Sequence, residues 1–190
     1  MKIQQFVMAY GVEQDRLRAM MPETLASLRP VVRINAEIRD DQTACLECNI
    51  PVERPGFRGW LNVAHWENVP FRRQGKTVVF CPDFLEISFT GVGIQGGCPA
   101  EKDNQGTLFP NETPSLRPPE SISENKEFCD CRFQWRFAPD NAGGVSLGKT
   151  LPATPTPPRV AYPPQPLTPE NVAKIPCLQV LGTYQVSFTR

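Results

Sequence analysis

The run Val31-Val32-Arg33-Ile34-Asn35-Ala36-Glu37-Ile38-Arg39, with Asp40-Asp41-Gln42 after it and Leu46, Cys48 and Ile50 beyond, decides how this chain folds. Val32, Ile34, Ala36 and Ile38 alternate with Arg33, Asn35, Glu37 and Arg39. A period of two places one set on each face of a β-strand, because successive side chains point to opposite sides. The polar Asp40-Asp41-Gln42 supplies a turn, and the alternation resumes on a return strand, so the two runs form a hairpin.

Working outward, Lys2 to Tyr10 is rich in strand formers. After Gly11 the spacing of Leu17, Met20, Met21, Leu25 and Leu28 is helical, and Pro22 stands where a second short helix can begin. Two short helical pieces are therefore expected between Val12 and Leu28. Further strands are expected at Trp60 to Trp66, Lys76 to Cys81, Phe84 to Phe89, Cys131 to Phe137 and Leu178 to Phe188. Many antiparallel strands and little helix indicate a barrel or sandwich, and closure removes exposed edges. The expected fold is mostly β (α+β): an antiparallel closed β-barrel with short N-terminal helices and long Pro-rich loops. Those loops are Asn104 to Glu127 and Thr150 to Glu170, whose prolines lack the backbone donor an interior strand needs. They read as surface loops, as a cover over a sheet edge, or as lids over a barrel mouth.

At 190 residues, with 40% hydrophobic and 21% charged side chains, the chain suffices for one domain, residues 1–190, with one sizeable core. Twenty basic and twenty acidic groups cancel without any run of like charge, which disfavours nucleic acid and an anionic membrane as partners. Met1 to Phe6 has neither the apolar run nor the cleavage site of a signal peptide, and no stretch reaches the roughly 18 apolar residues of a membrane span. Seven irregularly spaced cysteines suit reduced thiols and a cytoplasmic location better than a disulfide framework.

The order of elements resembles a known family. A first strand leads into Asp15-x-Leu17 and on to Pro22, the hairpin follows, then aromatic strands, then a closing strand with Val180-Leu181-Gly182-Thr183-Tyr184. This layout is similar to the acetoacetate decarboxylase-like superfamily. The resemblance implies a β-barrel around a deep cavity and, in the decarboxylases, a buried lysine that forms a Schiff base with a β-keto acid, helped by a lysine adjacent in sequence. This chain has no adjacent lysine pair.

Lys149, in Ser146-Leu147-Gly148-Lys149-Thr150-Leu151-Pro152, is the candidate amine. An amine turns nucleophilic near neutrality when an apolar setting or a nearby cation disfavours its ammonium form; otherwise this is an exposed lysine after a glycine turn. Gly143 to Thr150 also spells a phosphate-loop pattern, but Pro152, Pro155, Pro157 and Pro158 forbid the helix that would follow. Cys98 follows two glycines and would need a base or cation to act as a nucleophile. Cys45 and Cys48 mimic zinc spacing, yet on a strand they diverge to opposite faces, and Cys129 and Cys131 form a second superficial pair. His65, the only histidine, reads as a hydrogen-bonded packing residue or a general base.

On the polar strand face, Arg33 could bind a carboxylate and Glu37 could pair with it or act as an acid, if that face points inward. Arg132 and Arg136 raise the same question on their own strand. The candidate catalytic set is thus Lys149, Arg33 and Glu37, with no cofactor and no metal. The expected partner is a small-molecule substrate or ligand. Three readings stand: a lyase acting on a small keto acid or carboxylate, a non-catalytic binder of a small apolar or amphipathic ligand, and a self-associating subunit, a homo-oligomer.

Overall fold

The computed structural model describes residues 1–96, 104–110, 115–120, 122, 125–147 and 159–190. In chain order, β1 is Lys2–Gly11, α1 Gln14–Arg18, β2 Ala26–Ser27, β3 Val31–Arg39, β4 Ala44–Arg54 and β5 Phe57–Glu67. They are followed by β6 at Phe71–Gln74, β7 at Thr77–Phe80, β8 at Leu85–Gln95, β9 at Thr107–Phe109 and β10 at Ser115–Arg117. The last elements are β11 at Glu127–Trp135, β12 at Ala142–Val145, α2 at Pro169–Ala173 and β13 at Gln179–Thr189.

One sheet runs in the order β10-β9-β5-β4-β3-β1-β13-β11-β8-β7-β6. The deciding hairpin forms as read, with Ala36 opposite Leu46 and Ile34 opposite Cys48. The expectation of a closed antiparallel barrel is not met. The end strands β10 and β6 do not pair with each other, and β5 and β9 run parallel, so the sheet is open and mixed. Closure would need long, register-matched end strands. β10 has three residues, and the four-residue β6 exposes Arg72 and Arg73, side chains that blunt a sheet edge against further pairing.

The helical expectation is met once. α1 forms, but Pro22 opens only a turn, with the Leu25 amide donating to the Pro22 carbonyl at 3.0 Å. Ala26 and Ser27 instead pair with Glu53 and Val52. β4 outruns β3 at this end, and the 26–28 segment supplies partners for backbone groups that would otherwise lack them.

The sheet curls around an aromatic core. Phe6 of β1 meets Phe80 of β7 and Phe89 of β8 at ring distances of 5.5 and 5.3 Å. Tyr10 stacks on Phe133 at 4.9 Å and accepts a hydrogen bond from the Trp135 indole at 3.0 Å. Burial, together with the negative charge that nearby Cys48 would carry, raises the Tyr10 phenol well above its ordinary range. Asn141 clasps the C-terminal connection. Its amide donates to the Ala173 and Ile175 carbonyls at 2.7 and 2.8 Å, and its oxygen accepts from the Cys177 amide at 2.8 Å. No helix among the described residues is long and apolar enough to cross a membrane.

Asn141→Ala would strand these buried partners, and each unsatisfied group costs about 1–3 kcal/mol. We expect the variant to lose roughly 2–4 kcal/mol in a urea titration. A loss under about 0.5 kcal/mol, the range of an ordinary surface change, would contradict the clasp.

Candidate functional site

The two faces of β3 part company. Val32, Ile34, Ala36 and Ile38 are sealed in the aromatic core, whereas Arg33, Asn35, Glu37 and Arg39 line a cavity of about 690 Å³. β1 adds Gln5 and Val7 to the same wall, β4 adds Cys45 and Glu47, and β5 adds His65 and Glu67. Register makes neighbours of them: Asn35 lies opposite Glu47, Glu37 opposite Cys45, Glu47 opposite His65 and Cys45 opposite Glu67.

The far wall comes from the first proline-bearing segment. β9 and β10 form a flap on the edge of β5, with Thr107, Phe109, Arg117, Pro118 and Glu120 turned to the cavity. Its hinge is a close backbone approach. The Trp60 amide donates to the Gly106 carbonyl at 2.9 Å, and a Cβ at Gly59 would collide with that same oxygen. Only glycine fits at position 59. At the other end of the flap, Glu120 is ion-paired with Arg190. The described part of the second proline-bearing segment does something else. The Val160 amide donates to Asp15 at 2.6 Å and the Tyr162 hydroxyl donates to Glu13 at 2.6 Å, which straps the segment across α1 and away from the cavity.

Most charges on the cavity wall come in pairs. Arg39 grips Glu67 through both guanidinium ends at 2.8 and 3.0 Å. That bond, against the opposing effect of burial, holds the Glu67 carboxyl down at about 2. His65 lies between two carboxylates, with Nε2 2.8 Å from Glu67 and Nδ1 3.2 Å from Glu47. The bond to Glu47 is the main cause that lifts its imidazole to about 9, partly offset by burial and reinforced by Glu67. Burial alone would raise Glu47, but the hydrogen bond and charge of His65, the Asn49 amide at 3.3 Å and the charge of Arg33 outweigh it and hold this carboxyl below the usual range. The Cys45 thiol is pushed up to about 12 by burial and by the charge of Glu37, so it is not an activated nucleophile.

Of the residues singled out from sequence, Arg33 and Glu37 share the cavity, with the Arg33 guanidinium 3.9 Å over the Trp60 ring. Glu37 is buried and takes both ends of Arg190 at 3.1 and 3.0 Å, as well as the Gln5 amide at 3.1 Å. Lys149 and Cys98 lie outside the described residues. Gly143 and Gly144, the start of the phosphate-loop pattern, are strand residues of β12 opposite Phe133 and Arg132. Cys45 and Cys48 do diverge, one to the cavity and one to the core, and Cys129 and Cys131 are buried. On β11, Arg132 is exposed, and just beyond the strand Arg136 pairs with exposed Glu86 at 3.4 Å, so both arginines face outward. Sequence reasoning missed Glu47 and Glu67, which the hairpin registers could have supplied. It also missed Lys126 and Arg190, which reach the cavity through long-range pairing and leave no local signal. Lys126 lies with its ammonium 4.7 Å over the Tyr184 ring.

No family model matches this sequence, and no curated protein matches it at a significant level. Solved structures do. Acetoacetate decarboxylase from Legionella pneumophila superposes with a TM-score of 0.55 at 12% identity, over 98% of this chain and 81% of that one. The enduracididine biosynthesis enzyme MppR, in complex with the condensation product of pyruvate and imidazole 4-carboxaldehyde, gives 0.53 at 11% identity over 98% and 83%. A further acetoacetate decarboxylase structure gives 0.52 at 15% identity over 98% and 84%. This chain therefore has the acetoacetate decarboxylase-like fold, at a sequence distance where the likeness carries the fold alone.

Proposed function

We propose that this chain binds a small carboxylate-bearing molecule, a short keto acid, in the cavity beneath the β9–β10 flap. The observation that carries this reading is the charge of the wall. Arg33, Arg39, Arg117, Lys126 and Arg190 face Glu37, Glu47, Glu67 and Glu120, and a protonated His65 adds to the positive side. The chain as a whole is neutral, so the excess of cations is local and concentrates an anion there. In this reading Arg33, steadied on the Trp60 ring, takes the carboxylate as a planar two-pronged donor, and Glu37 positions Arg190 at the flap. A wall this polar does not suit a purely apolar ligand. The neighbouring fold also favours a carbonyl acid, since one MppR structure contains a pyruvate condensation product.

Chemistry beyond binding requires an amine. We assign it to Lys149 on its sequence setting, with Lys126 as the amine that the cavity itself contributes. The uncharged amine attacks the keto carbon and water leaves, forming an iminium. In a β-keto acid the bond to the carboxylate then breaks, its electrons move into the iminium and carbon dioxide departs. The resulting enamine takes a proton and water releases the product.

Pyruvate and acetoacetate should change the tryptophan emission of the wild-type protein, because Trp60 underlies Arg33. Arg33→Gln should weaken that binding about tenfold or more, the loss expected when a charge-assisted contact is removed. Unchanged affinity in the variant would discard Arg33 as the anchor. Borohydride reduction in the presence of acetoacetate should leave a mass adduct on Lys149 or Lys126. Binding without an adduct on either lysine would reduce the assignment to a non-catalytic binder.

A further inference from the structure

At the junction of β4 and β5, Cys45 Sγ, a ring nitrogen of His65 and a carboxylate oxygen of Glu67 all lie within 4.8 Å of one another. We propose that these three residues form a site for one divalent ion of the zinc or cobalt class, open on its fourth side to the cavity. The placement follows from pairing. Cys45 lies directly across the ladder from Glu67, and His65 directly across from Glu47. All four side chains project from the same face of a two-stranded segment and line the same cavity.

Sulfur, imidazole nitrogen and carboxylate oxygen together select a borderline ion over calcium or magnesium, which take oxygen alone. Bond lengths of about 2.0–2.3 Å put neighbouring tetrahedral ligands roughly 3.4–3.7 Å apart, so closing this set takes about 1 Å of side-chain adjustment. The remaining ring nitrogen is already oriented. Nδ1 lies 3.2 Å from Glu47, whose carboxylate is steadied by Asn49 at 3.3 Å and Asn35 at 3.5 Å. This is the carboxylate–histidine arrangement that fixes the ring of a metal-binding histidine. Arg39, gripping Glu67 through both ends, holds the third ligand in place.

The exchange balances. The ion takes the place of the proton between Nε2 and Glu67 and of the thiol proton, forming bonds to nitrogen, oxygen and sulfur. Two protons pass to the buffer while the remaining ring proton stays on Nδ1, donated to the Glu47 carboxylate. A divalent cation replaces two unit charges, so the surrounding ion pairs see no net change, and nothing is oxidised or reduced. The site shares the cavity wall with the keto-acid reading, but its test stands apart from that reading, because it involves neither Arg33 nor a lysine.

Cobalt(II) titrated into the full-length protein tests it. A sulfur-to-cobalt charge-transfer band and the visible bands of a four-coordinate ion should rise together to one equivalent, with two protons released per ion. Cys45→Ser should abolish the charge-transfer band, and His65→Gln should weaken uptake about tenfold or more. Lack of one-to-one uptake, or a charge-transfer band that survives Cys45→Ser, would overturn the site. Where Cys45→Ser does not fold, unchanged uptake by His65→Gln overturns it equally.

Discussion

A strand whose two faces meet different surroundings must satisfy both at once, and β3 is that strand: one face is sealed in the core and the other lines a cavity partly open to solvent. Its even-numbered residues fill an apolar core, and Arg33, Asn35, Glu37 and Arg39 wall a charged cavity. A slip of one residue in register would exchange the two sets, driving Arg33 and Glu37 among Phe6, Tyr10 and Phe89. The cost of burying unpaired charge in apolar surroundings makes that slip prohibitive. The same alternation therefore fixes pairing on both sides of β3, and the positions of every cavity residue on β1, β4 and β5 follow from it. The flap adds the second wall but does not set the register.

The cavity solves a second problem, which is how to keep so many ionised groups near one another. Burying an ion pair gains little when its partner is imperfect, because desolvation offsets the attraction. Here the acids have specific partners: Glu67 has Arg39, Glu47 has His65, and Glu37 has Arg190. The chain of contacts runs from Arg39 through Glu67 and His65 to Glu47 and then to the Asn49 and Asn62 amides, the latter pair at 2.9 Å. Such a network pre-organises the wall, because each of Glu67, His65, Glu47 and Asn49 is held by two others rather than by one. A ligand entering it meets fixed dipoles and charges, not mobile side chains.

Much of the architecture could be read directly from residue order. The alternation in 31–39, the hairpin and the aromatic strands appear where periodicity puts them, with ends differing by a few residues. The face carrying Phe133 and Trp135 is buried as the spacing implies. Closure was not legible, since it depends on whether two short end strands meet across the molecule, and no local pattern encodes that. The second helical piece failed because β4 needed backbone partners that its neighbours did not supply, a tertiary demand that overrides helical spacing. At the site, Arg33 and Glu37 were visible as a polar face, but its inward direction was set by the flap, whose prolines marked only an irregular segment. Arg190 and Lys126 were invisible, since each is carried to the cavity by the adjoining strand, β13 paired with β1 and β11 paired with β13, across more than fifty residues.

The polar faces of β3, β4 and β5 line a charged cavity in which His65 is clamped between two carboxylates. Because His65 is the only histidine in the chain, a proton NMR titration of its ring reads this cavity without any assignment problem. The clamp favours the protonated form in the folded state, so the midpoint should sit at about 9, above the ordinary histidine value of about 6.5. The associated stability is then fully present below the ordinary value and lost as pH rises through the higher one. A ring that titrates near or below about 6.5 would mean that Glu47 and Glu67 do not hold it, and the clamp on the charged cavity wall would be contradicted.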